Sequence, residues 1–339
     1  MKAVVYKGND KPLSLEDVPA PEPGPGQLLV KVAACGICGS DLHAYQSGLL
    51  GPEIIMGHEF SGEILAVGEG ASASWQVGDR VTSLGALLCG YCDACKRGLF
   101  DSCENLQLTG FFGHGAYAEQ VLVSEQLSVR VPETLDLTQA ALVEPMTVGL
   151  QALRDAQLPL GGNVLVIGAG VIGLAVAKWA RFFGAADIVV SDLDAERLDR
   201  ARTNGATAVI DATANPDAVQ GFRDAVGGEP DVILECVGRP MLQQLIDIAP
   251  VGCHIVSVGV SMAEEPLSPM AAAQKKVRLS FSFGYTVEDF AFVTRMLAEK
   301  RLLVEELITQ RVALAQVPEV FEGLMQPHGH CKILIQPNR

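Results

Sequence analysis

Four cysteines lie close together in one short segment of the chain. Cys89, Cys92, Cys95 and Cys103 follow the spacing Cys-x2-Cys-x2-Cys-x7-Cys. Four thiolates on one loop can complete the tetrahedral shell of a zinc ion, and a complete shell leaves no position for a substrate. The segment therefore predicts a structural zinc site. The alternatives are an iron–sulfur cluster, whose binding segments usually have other spacings, redox-active thiols and an empty site.

A second group of possible metal ligands is spread over three distant segments. Cys38 lies in Cys-Gly-Ile-Cys-Gly-Ser-Asp-Leu-His (35–43), His58 and Glu59 lie in Gly-His-Glu, and Glu144 lies in Val-Glu-Pro. A catalytic zinc takes about three protein ligands and keeps one position open. Cys38, His58 and one of the two carboxylates would satisfy it. On spacing alone, purely structural roles for these residues are an equal alternative.

A glycine-rich turn joins an apolar strand to an apolar helix. Gly-Ala-Gly-Val-Ile-Gly (168–173) follows Val164–Ile167, and an acid, Asp192, ends the next predicted strand. Glycines here permit a tight turn and close approach of a pyrophosphate, and the helix N-terminus offers free N–H groups. The acid would bind ribose hydroxyls and repel a 2′-phosphate, which favours NAD over NADP. Glycines that serve only a tight turn are the alternative. The expected cofactor-binding residues are Gly168, Gly170, Val171, Ile172, Gly173, Asp192 and Arg197.

Composition excludes several classes of partner. The chain has 339 residues, and its 25 Lys+Arg against 40 Asp+Glu give a formal net charge of −15. Such an acidic chain lacks the basic surface that nucleic acid or an anionic membrane requires. No segment has the roughly 18 uncharged apolar residues of a membrane span, and the N-terminus lacks a signal-peptide pattern. We expect a cytoplasmic protein in which clustered thiols bind metal instead of forming disulfides.

The elements that must position these residues fall into three stretches. The pattern of residues 1–147 predicts short strands separated by turns. The pattern of residues 148–283 predicts six strands alternating with helices, which would form a doubly wound parallel sheet. Residues 284–339 predict two helices and a last strand that could return to the first stretch. The predicted strands are 27–33, 62–67, 80–83, 118–123, 164–167, 188–191, 208–210, 232–235, 255–258, 277–283 and 332–335, and the predicted helices include 172–183, 195–203, 287–299 and 317–325.

In their order along the whole chain, these motifs resemble the zinc-containing medium-chain dehydrogenases of the alcohol dehydrogenase superfamily. Val-Glu-Pro (143–145) resembles the branch of sorbitol, 2,3-butanediol and threonine dehydrogenases. The resemblance implies an α/β fold in which 1–147 and 284–339 form a GroES-like, β-rich catalytic zinc domain. The middle stretch, 148–283, would be the Rossmann NAD-binding domain with a six-stranded parallel sheet.

The resemblance also implies roles for individual residues. Cys38 and His58 are expected to bind the catalytic zinc, with Glu59 as the preferred third ligand. Glu144 would either bind zinc directly or hold the zinc-bound water. Ser40 would take the proton of the alcohol and His43 would pass it to solvent. Two zinc ions per subunit are therefore expected, one at the catalytic site and one in the four-cysteine loop.

The expected reaction is hydride transfer between an alcohol and NAD, which gives a ketone or aldehyde. The alcohol would be a secondary alcohol, a diol or a polyol. L-threonine 3-dehydrogenase or another specialised alcohol dehydrogenase is the alternative, and a non-catalytic nucleotide-binding protein is disfavoured by the intact ligand set. The apolar run 277–283 would be an edge strand, and an apolar edge is normally paired or covered. We therefore expect a homodimer or homotetramer.

Overall fold

The computed structural model describes residues 1–8, 11–326 and 328–339. The strands, in chain order, are β1 (Lys2–Tyr6), β2 (Ser14–Asp17), β3 (Gln27–Gly36), β4 (Ile54–Ile55), β5 (Glu59–Val67), β6 (Arg80–Ser83), β7 (Ala86–Leu87), β8 (Gln107–Leu108), β9 (Gln120–Ser124), β10 (Ser128–Arg130), β11 (Val164–Ile167), β12 (Ile188–Asp192), β13 (Ala208–Asp211), β14 (Val232–Glu235), β15 (His254–Ser257), β16 (Arg278–Phe281), β17 (Ile308–Val312) and β18 (Lys332–Ile335).

The helices, in chain order, are α1 (Gly39–Ser47), α2 (Asp93–Lys96), α3 (Leu137–Ala140), α4 (Val143–Ala156), α5 (Val171–Phe182), α6 (Ala195–Thr203), α7 (Ala218–Val226), α8 (Leu242–Ile248), α9 (Pro269–Lys275), α10 (Val287–Ala298) and α11 (Val317–Gly323). The chain divides into two compact units, one formed by Met1–Glu144 with Phe290–Arg339 and the other by Pro145–Asp289. Within the described part of the chain, no helix is both long and apolar enough to cross a membrane.

The first unit is built on a mostly antiparallel sheet with the order β10-β6-β5-β3-β18-β17, and β9 also pairs with β3. The long strand β3 is its centre, because three neighbours pair with different parts of it. Val30, Val32 and Ala34 alternate along β3 and are fully buried, as expected for a strand with one face in the core. The apolar core of this unit packs around that face.

The second unit contains a six-stranded parallel sheet with the order β13-β12-β11-β14-β15-β16. This is the doubly wound arrangement in which the chain starts in the middle and reverses direction between β13 and β14. The inner strands are continuous apolar runs, as sheets covered on both faces require; Val164–Ile167 and Val232–Glu235 are buried throughout. The predicted α/β fold with a six-stranded parallel sheet is confirmed.

Three strand predictions were wrong at their ends. The predicted strand 277–283 is shorter, because β16 pairs only with β15, which ends at Ser257. By contrast, β3 continues to Gly36 and β5 begins at Glu59, so both are longer than predicted. Glycine and serine residues such as Gly36 and Ser61 conceal this continuation, since they favour turns in isolation. The added residues lead directly into the candidate site.

Candidate active site

Strand register brings the scattered ligand candidates to one end of the first sheet. At that end Gly36 pairs with Glu59 across β3 and β5, and with Leu334 across β3 and β18. Cys38 follows β3 by two residues, and His58 immediately precedes β5. Lys332 opens β18 at the same end. Three segments that are remote in sequence therefore meet here.

The convergence creates a compact set of metal-binding atoms. One ligand atom each from Cys38, His58 and Glu59 lies within 4.8 Å of the others. The Ser40 hydroxyl donates to Cys38 Sγ at 3.1 Å and lies 3.5 Å from His58 Nε2. A thiolate, an imidazole and a carboxylate are ligands that zinc accepts in catalytic sites. The donor set therefore fits the metal that the sequence predicted.

A buried carboxylate that the sequence did not reveal lies beside the histidine. Asp41 is fully buried, and its Oδ2 accepts hydrogen bonds from the Tyr117 hydroxyl at 2.7 Å and from Cys38 N at 3.0 Å. Its other oxygen lies 3.5 Å from His58 Nδ1. Metal-binding histidines commonly turn their second nitrogen toward a carboxylate. This arrangement leaves Nε2 of His58 on the side of Cys38 and Ser40.

The same environment shifts the pKa of both partners. Burial disfavours the charged imidazole, but the charges of Asp41 and Cys38 outweigh burial and raise the pKa of His58 well above its usual value. Burial also opposes ionisation of Asp41. The charge of His58 and the hydrogen bonds from Tyr117 and Cys38 nevertheless lower the pKa of this carboxyl. The protein thus attracts a positive charge to this imidazole. A metal ion, which needs the neutral imidazole, can supply that charge in place of a proton.

The third ligand candidate, Glu59, is held by a lysine that was also missed. Lys332 Nζ donates to both Glu59 oxygens, at 2.7 and 2.6 Å, and to the Ile37 carbonyl at 2.9 Å. Both side chains are buried. Gly36 makes room for the pair, because a Cβ there would lie 2.0 Å from Glu59 Oε2. Burial opposes the ammonium charge, but Glu59 and Cys38 raise the pKa of Lys332 above its usual value. Lys332 therefore stays charged beside the candidate metal site.

The remaining predicted residues surround this set. Glu144 is buried in the first turn of α4, and its charge helps to raise the pKa of Lys332. It is not a member of the three-residue set found among the described residues. His43 is partly exposed on α1, three residues after Ser40, and side chains at this spacing are neighbours on a helix. The Phe111 ring lies 5.2 Å from the His58 ring, between centroids.

The four-cysteine loop forms a second, separate ligand set. The ligand atoms of Cys89, Cys92, Cys95 and Cys103 lie within 4.8 Å of one another. The Cys89 sulfur is 3.9 Å from that of Cys95 and 3.7 Å from that of Cys103. Tetrahedral zinc with bonds of about 2.3 Å separates its sulfurs by about 3.8 Å. The loop therefore has the dimensions of a four-thiolate zinc site.

Backbone amides support negative charge on this loop. Cys92 N donates to Cys89 Sγ at 3.4 Å, and Cys95 N donates to Cys92 Sγ at 3.4 Å. Desolvation opposes ionisation of Cys89, but the amides of Tyr91 and Cys92 lower the pKa of its thiol to about 6. A lowered pKa favours the thiolate, the form that binds metal. The amides thus favour the thiolate at Cys89 and Cys92, whereas burial and the neighbouring cysteines raise the pKa of Cys95 to about 12.

The glycine-rich turn in the second unit has the geometry of a phosphate-binding turn. A Cβ on Gly173 would lie 1.8 Å from the Gly168 carbonyl oxygen, whereas a Cβ on Gly170 would meet no atom within 4 Å. Gly173 is therefore needed for close packing, whereas Gly170 borders open space that a ligand could enter. Val171 and Ile172 begin α5 directly after it. Free N–H groups of such a helix start can bind a pyrophosphate.

The acid at the end of β12 is anchored beside this turn. Asp192 Oδ2 accepts a hydrogen bond from Ala169 N at 2.6 Å, and Oδ1 accepts one from Asp194 N at 3.0 Å. Arg197 lies in the first turn of α6, where its own N–H donates to Asp194. A fixed carboxylate therefore lies next to Gly168 and Gly170, as the sequence predicted.

Comparison with known proteins identifies the class. Residues 24–133 match the alcohol dehydrogenase GroES-like domain, and residues 171–299 match the zinc-binding dehydrogenase domain. The chain belongs to this zinc-dependent family of medium-chain alcohol dehydrogenases, as its motifs predicted. It is an oxidoreductase of the alcohol–carbonyl type, and the family membership supports zinc and a nicotinamide cofactor.

Individual relatives indicate which branch of the family the chain resembles. Sorbitol dehydrogenase of Bacillus subtilis is 32% identical, with 100% of this chain and 98% of the relative covered. (R,R)-butanediol dehydrogenase of the same organism is 32% identical, with 100% of each chain covered. The fold is similar to that of a zinc-binding dehydrogenase from Sinorhizobium meliloti bound to NADP, with a TM-score of 0.88, 30% identity and 99% of each chain covered. The predicted likeness to the sorbitol and butanediol branch is confirmed.

Proposed function

We propose that this protein is a zinc- and NAD-dependent dehydrogenase that oxidises a secondary hydroxyl of a diol or polyol to a ketone, or catalyses the reverse reduction. The convergence of Cys38, His58 and Ser40 carries the proposal, because it combines two zinc-type ligands with a hydroxyl beside them. The relatives named for sorbitol and butanediol support a substrate with neighbouring hydroxyl groups.

Each residue of the site around Cys38 and His58 has a proposed role. Cys38 and His58 hold the zinc, which when bound lowers the pKa of a substrate hydroxyl. Ser40 accepts the proton of that hydroxyl, since its Oγ lies within 3.5 Å of both ligands. His43 passes the proton to solvent from its partly exposed position on the same helix. Asp41 keeps the imidazole of His58 oriented.

The third zinc ligand is proposed to be Glu59. Its carboxylate belongs to the compact ligand set, which does not include Glu144. Both Glu59 oxygens bond to Lys332, and each oxygen keeps a second lone pair that could bind zinc. Glu144 then contributes negative charge near Lys332 and can hold a solvent molecule at the site. The four-cysteine loop is proposed to hold a second, structural zinc.

NAD is the proposed cofactor. The carboxylate of Asp192, fixed by Ala169 N and Asp194 N, would accept hydrogen bonds from ribose hydroxyls and repel a 2′-phosphate. Gly168, Gly170, Val171, Ile172 and Gly173 line the pyrophosphate side, with Arg197 toward the adenine. The structural relative bound to NADP makes a direct comparison of the two cofactors necessary.

Self-association is part of the proposal. Strand β16 is the edge of the parallel sheet, and the side chains of Phe281 and Phe283 are 66% and 86% exposed. An exposed apolar edge tends to pair with another strand. A homodimer formed through this edge, or a homotetramer of such dimers, would cover it.

A substrate panel tests the function. Purified protein should reduce NAD, and NADP more slowly, with a vicinal diol or a polyol; a panel that also contains simple secondary alcohols and L-threonine identifies the preferred class. His58→Ala should abolish this activity, whereas His114→Ala, a matched change at an exposed histidine, should retain it. Turnover by the His58→Ala protein, or a preference for L-threonine, would refute the proposal.

A further inference from the structure

We propose that Tyr117 is a positioning residue of the metal site. Its hydroxyl acts through Asp41 to fix the imidazole of His58, and its ring supports the segment that carries this histidine. The inference rests on the proposed function, since it assumes that Cys38 and His58 bind the catalytic zinc.

The hydroxyl of Tyr117 determines how the buried carboxylate is oriented. Tyr117 and Asp41 are both completely buried, and the hydroxyl donates to Asp41 Oδ2 at 2.7 Å. The Cys38 amide donates to the same oxygen at 3.0 Å. With two donors on Oδ2, the other oxygen, Oδ1, faces His58 Nδ1 at 3.5 Å. Loss of the hydroxyl would leave one donor, and the carboxylate could rotate away from the imidazole.

The ring and backbone of Tyr117 contact the second ligand-bearing segment. Tyr117 N donates to the Met56 carbonyl at 2.9 Å, and Ala116 N donates to the Gly57 carbonyl at 2.9 Å. Gly57, which precedes His58, has a φ of 96°, a conformation that favours glycine. A Cβ at Gly57 would lie 2.4 Å from Tyr117 Cδ1, so the ring occupies the space that this glycine leaves open.

One side chain therefore joins the two segments that supply the proposed zinc ligands. The hydroxyl reaches α1 through Asp41, and the ring covers the turn that leads into His58. Outer partners of metal-binding histidines set ligand orientation and thereby metal affinity. Phenylalanine at position 117 would keep the ring and the backbone bonds and remove only the hydroxyl, which isolates the proposed effect.

Chelator competition on the zinc-loaded protein measures this effect. In Tyr117→Phe, the zinc at Cys38 and His58 should bind about tenfold more weakly, the lower end of the roughly 10- to 100-fold range for such outer partners. The zinc of the four-cysteine loop should keep its affinity and serves as an internal reference. Tyr45→Phe is the matched control, because the Tyr45 hydroxyl donates to the Lys11 carbonyl at 3.2 Å and not to Asp41. Equal catalytic-zinc affinity in both variants would overturn the proposal.

A double variant distinguishes positioning from general loosening of the fold. If Tyr117 acts through Asp41, Tyr117→Phe should add little to the loss caused by Asp41→Asn. Independent losses that multiply would contradict the pathway. Cobalt substituted at the site should show an altered visible absorption spectrum in Tyr117→Phe and not in Tyr45→Phe. A wild-type protein with zinc only at the cysteine loop would instead refute the proposed function itself.

Discussion

The two candidate metal sites of this chain are organised in opposite ways. The cysteine loop draws all four ligands from one segment whose ends lie 14 positions apart, and its backbone turns aim amides at the sulfurs. The second site takes its ligands from distant segments and is surrounded by buried partners: Asp41, Tyr117 and Lys332. The loop takes its ligands from one short segment, whereas the assembled site depends on strand register.

This difference has a chemical consequence. A loop that supplies four thiolates completes the shell of its metal, so it suits a structural role. The assembled site offers fewer fixed ligands and holds Glu59 through Lys332, so it can accept a substrate. Substitutions at each site should expose this contrast.

Matched cysteine substitutions should separate the two roles most strongly. Cys38→Ser should lower kcat by roughly 10³-fold or more, because the metal contributes several kcal/mol to the reaction, while NAD binding stays unchanged. Cys95→Ser should destabilise the protein but leave the catalytic ligands in place. Steady-state kinetics and NAD binding by titration calorimetry compare the variants. Comparable loss of turnover in both, at equal folded fraction, would remove the distinction between the sites.

Breaking the buried ion pair should cost the assembled site much of its stability. In the zinc-free protein, Lys332→Met should lower the free energy of unfolding by about 3–5 kcal/mol, because Glu59 would remain as an uncompensated buried charge. Lys2→Met is the control, since its ion pair with Asp17 is exposed, and it should have little effect. Urea unfolding measures both. If the double variant Lys332→Met/Glu59→Gln recovers none of the loss, the ion-pair explanation is wrong.

The cofactor preference should depend on one carboxylate. Asp192→Ala removes the proposed hydrogen bonds to the ribose, and a charged partner contributes about 1.5–3 kcal/mol, so the KM for NAD should rise roughly 10- to 150-fold. Activity with NADP should improve relative to NAD. Asp211→Ala, which changes an exposed acid at the end of the neighbouring strand, provides the comparison. An unchanged NAD to NADP ratio in Asp192→Ala would argue against the assignment.

The smallest effect is expected at the outer end of the proposed proton path. His43→Ala should reduce kcat by about tenfold, less than the roughly 10²–10⁴-fold contributed by a direct acid or base, because solvent can take over the transfer. Imidazole added to the assay should restore part of the lost rate. Full activity without imidazole, or no rescue of a large loss, would exclude His43 from the path.

The contrast between the sites also explains what the sequence could predict. The four cysteines of the loop, whose sulfurs lie within 4.8 Å of one another, could be proposed as one ligand set because they are close together in sequence. The six parallel strands were found because buried strands are continuous apolar runs. Cys38, His58 and Glu59 were identified by residue type and family resemblance.

The partners of the assembled site were missed because they depend on long-range pairing. Asp41 and Tyr117 lie 76 positions apart, and Glu59 and Lys332 lie 273 positions apart. Asp41 could have been suspected from its place three residues after Cys38, at a helix start. Lys332 could have been suspected as a lysine that opens an apolar strand, since a buried lysine needs a carboxylate. No local pattern marks the Tyr117 hydroxyl.

Zinc analysis of the purified wild-type, Cys38→Ser and Cys95→Ser proteins, coupled to a diol-oxidation assay on the same samples, tests the central claim most directly. We expect two zinc ions per wild-type chain and one in each variant. The zinc left in Cys95→Ser should support turnover, whereas the zinc left in Cys38→Ser should not. Two zinc ions in Cys38→Ser, or undiminished diol oxidation by that variant, would contradict it.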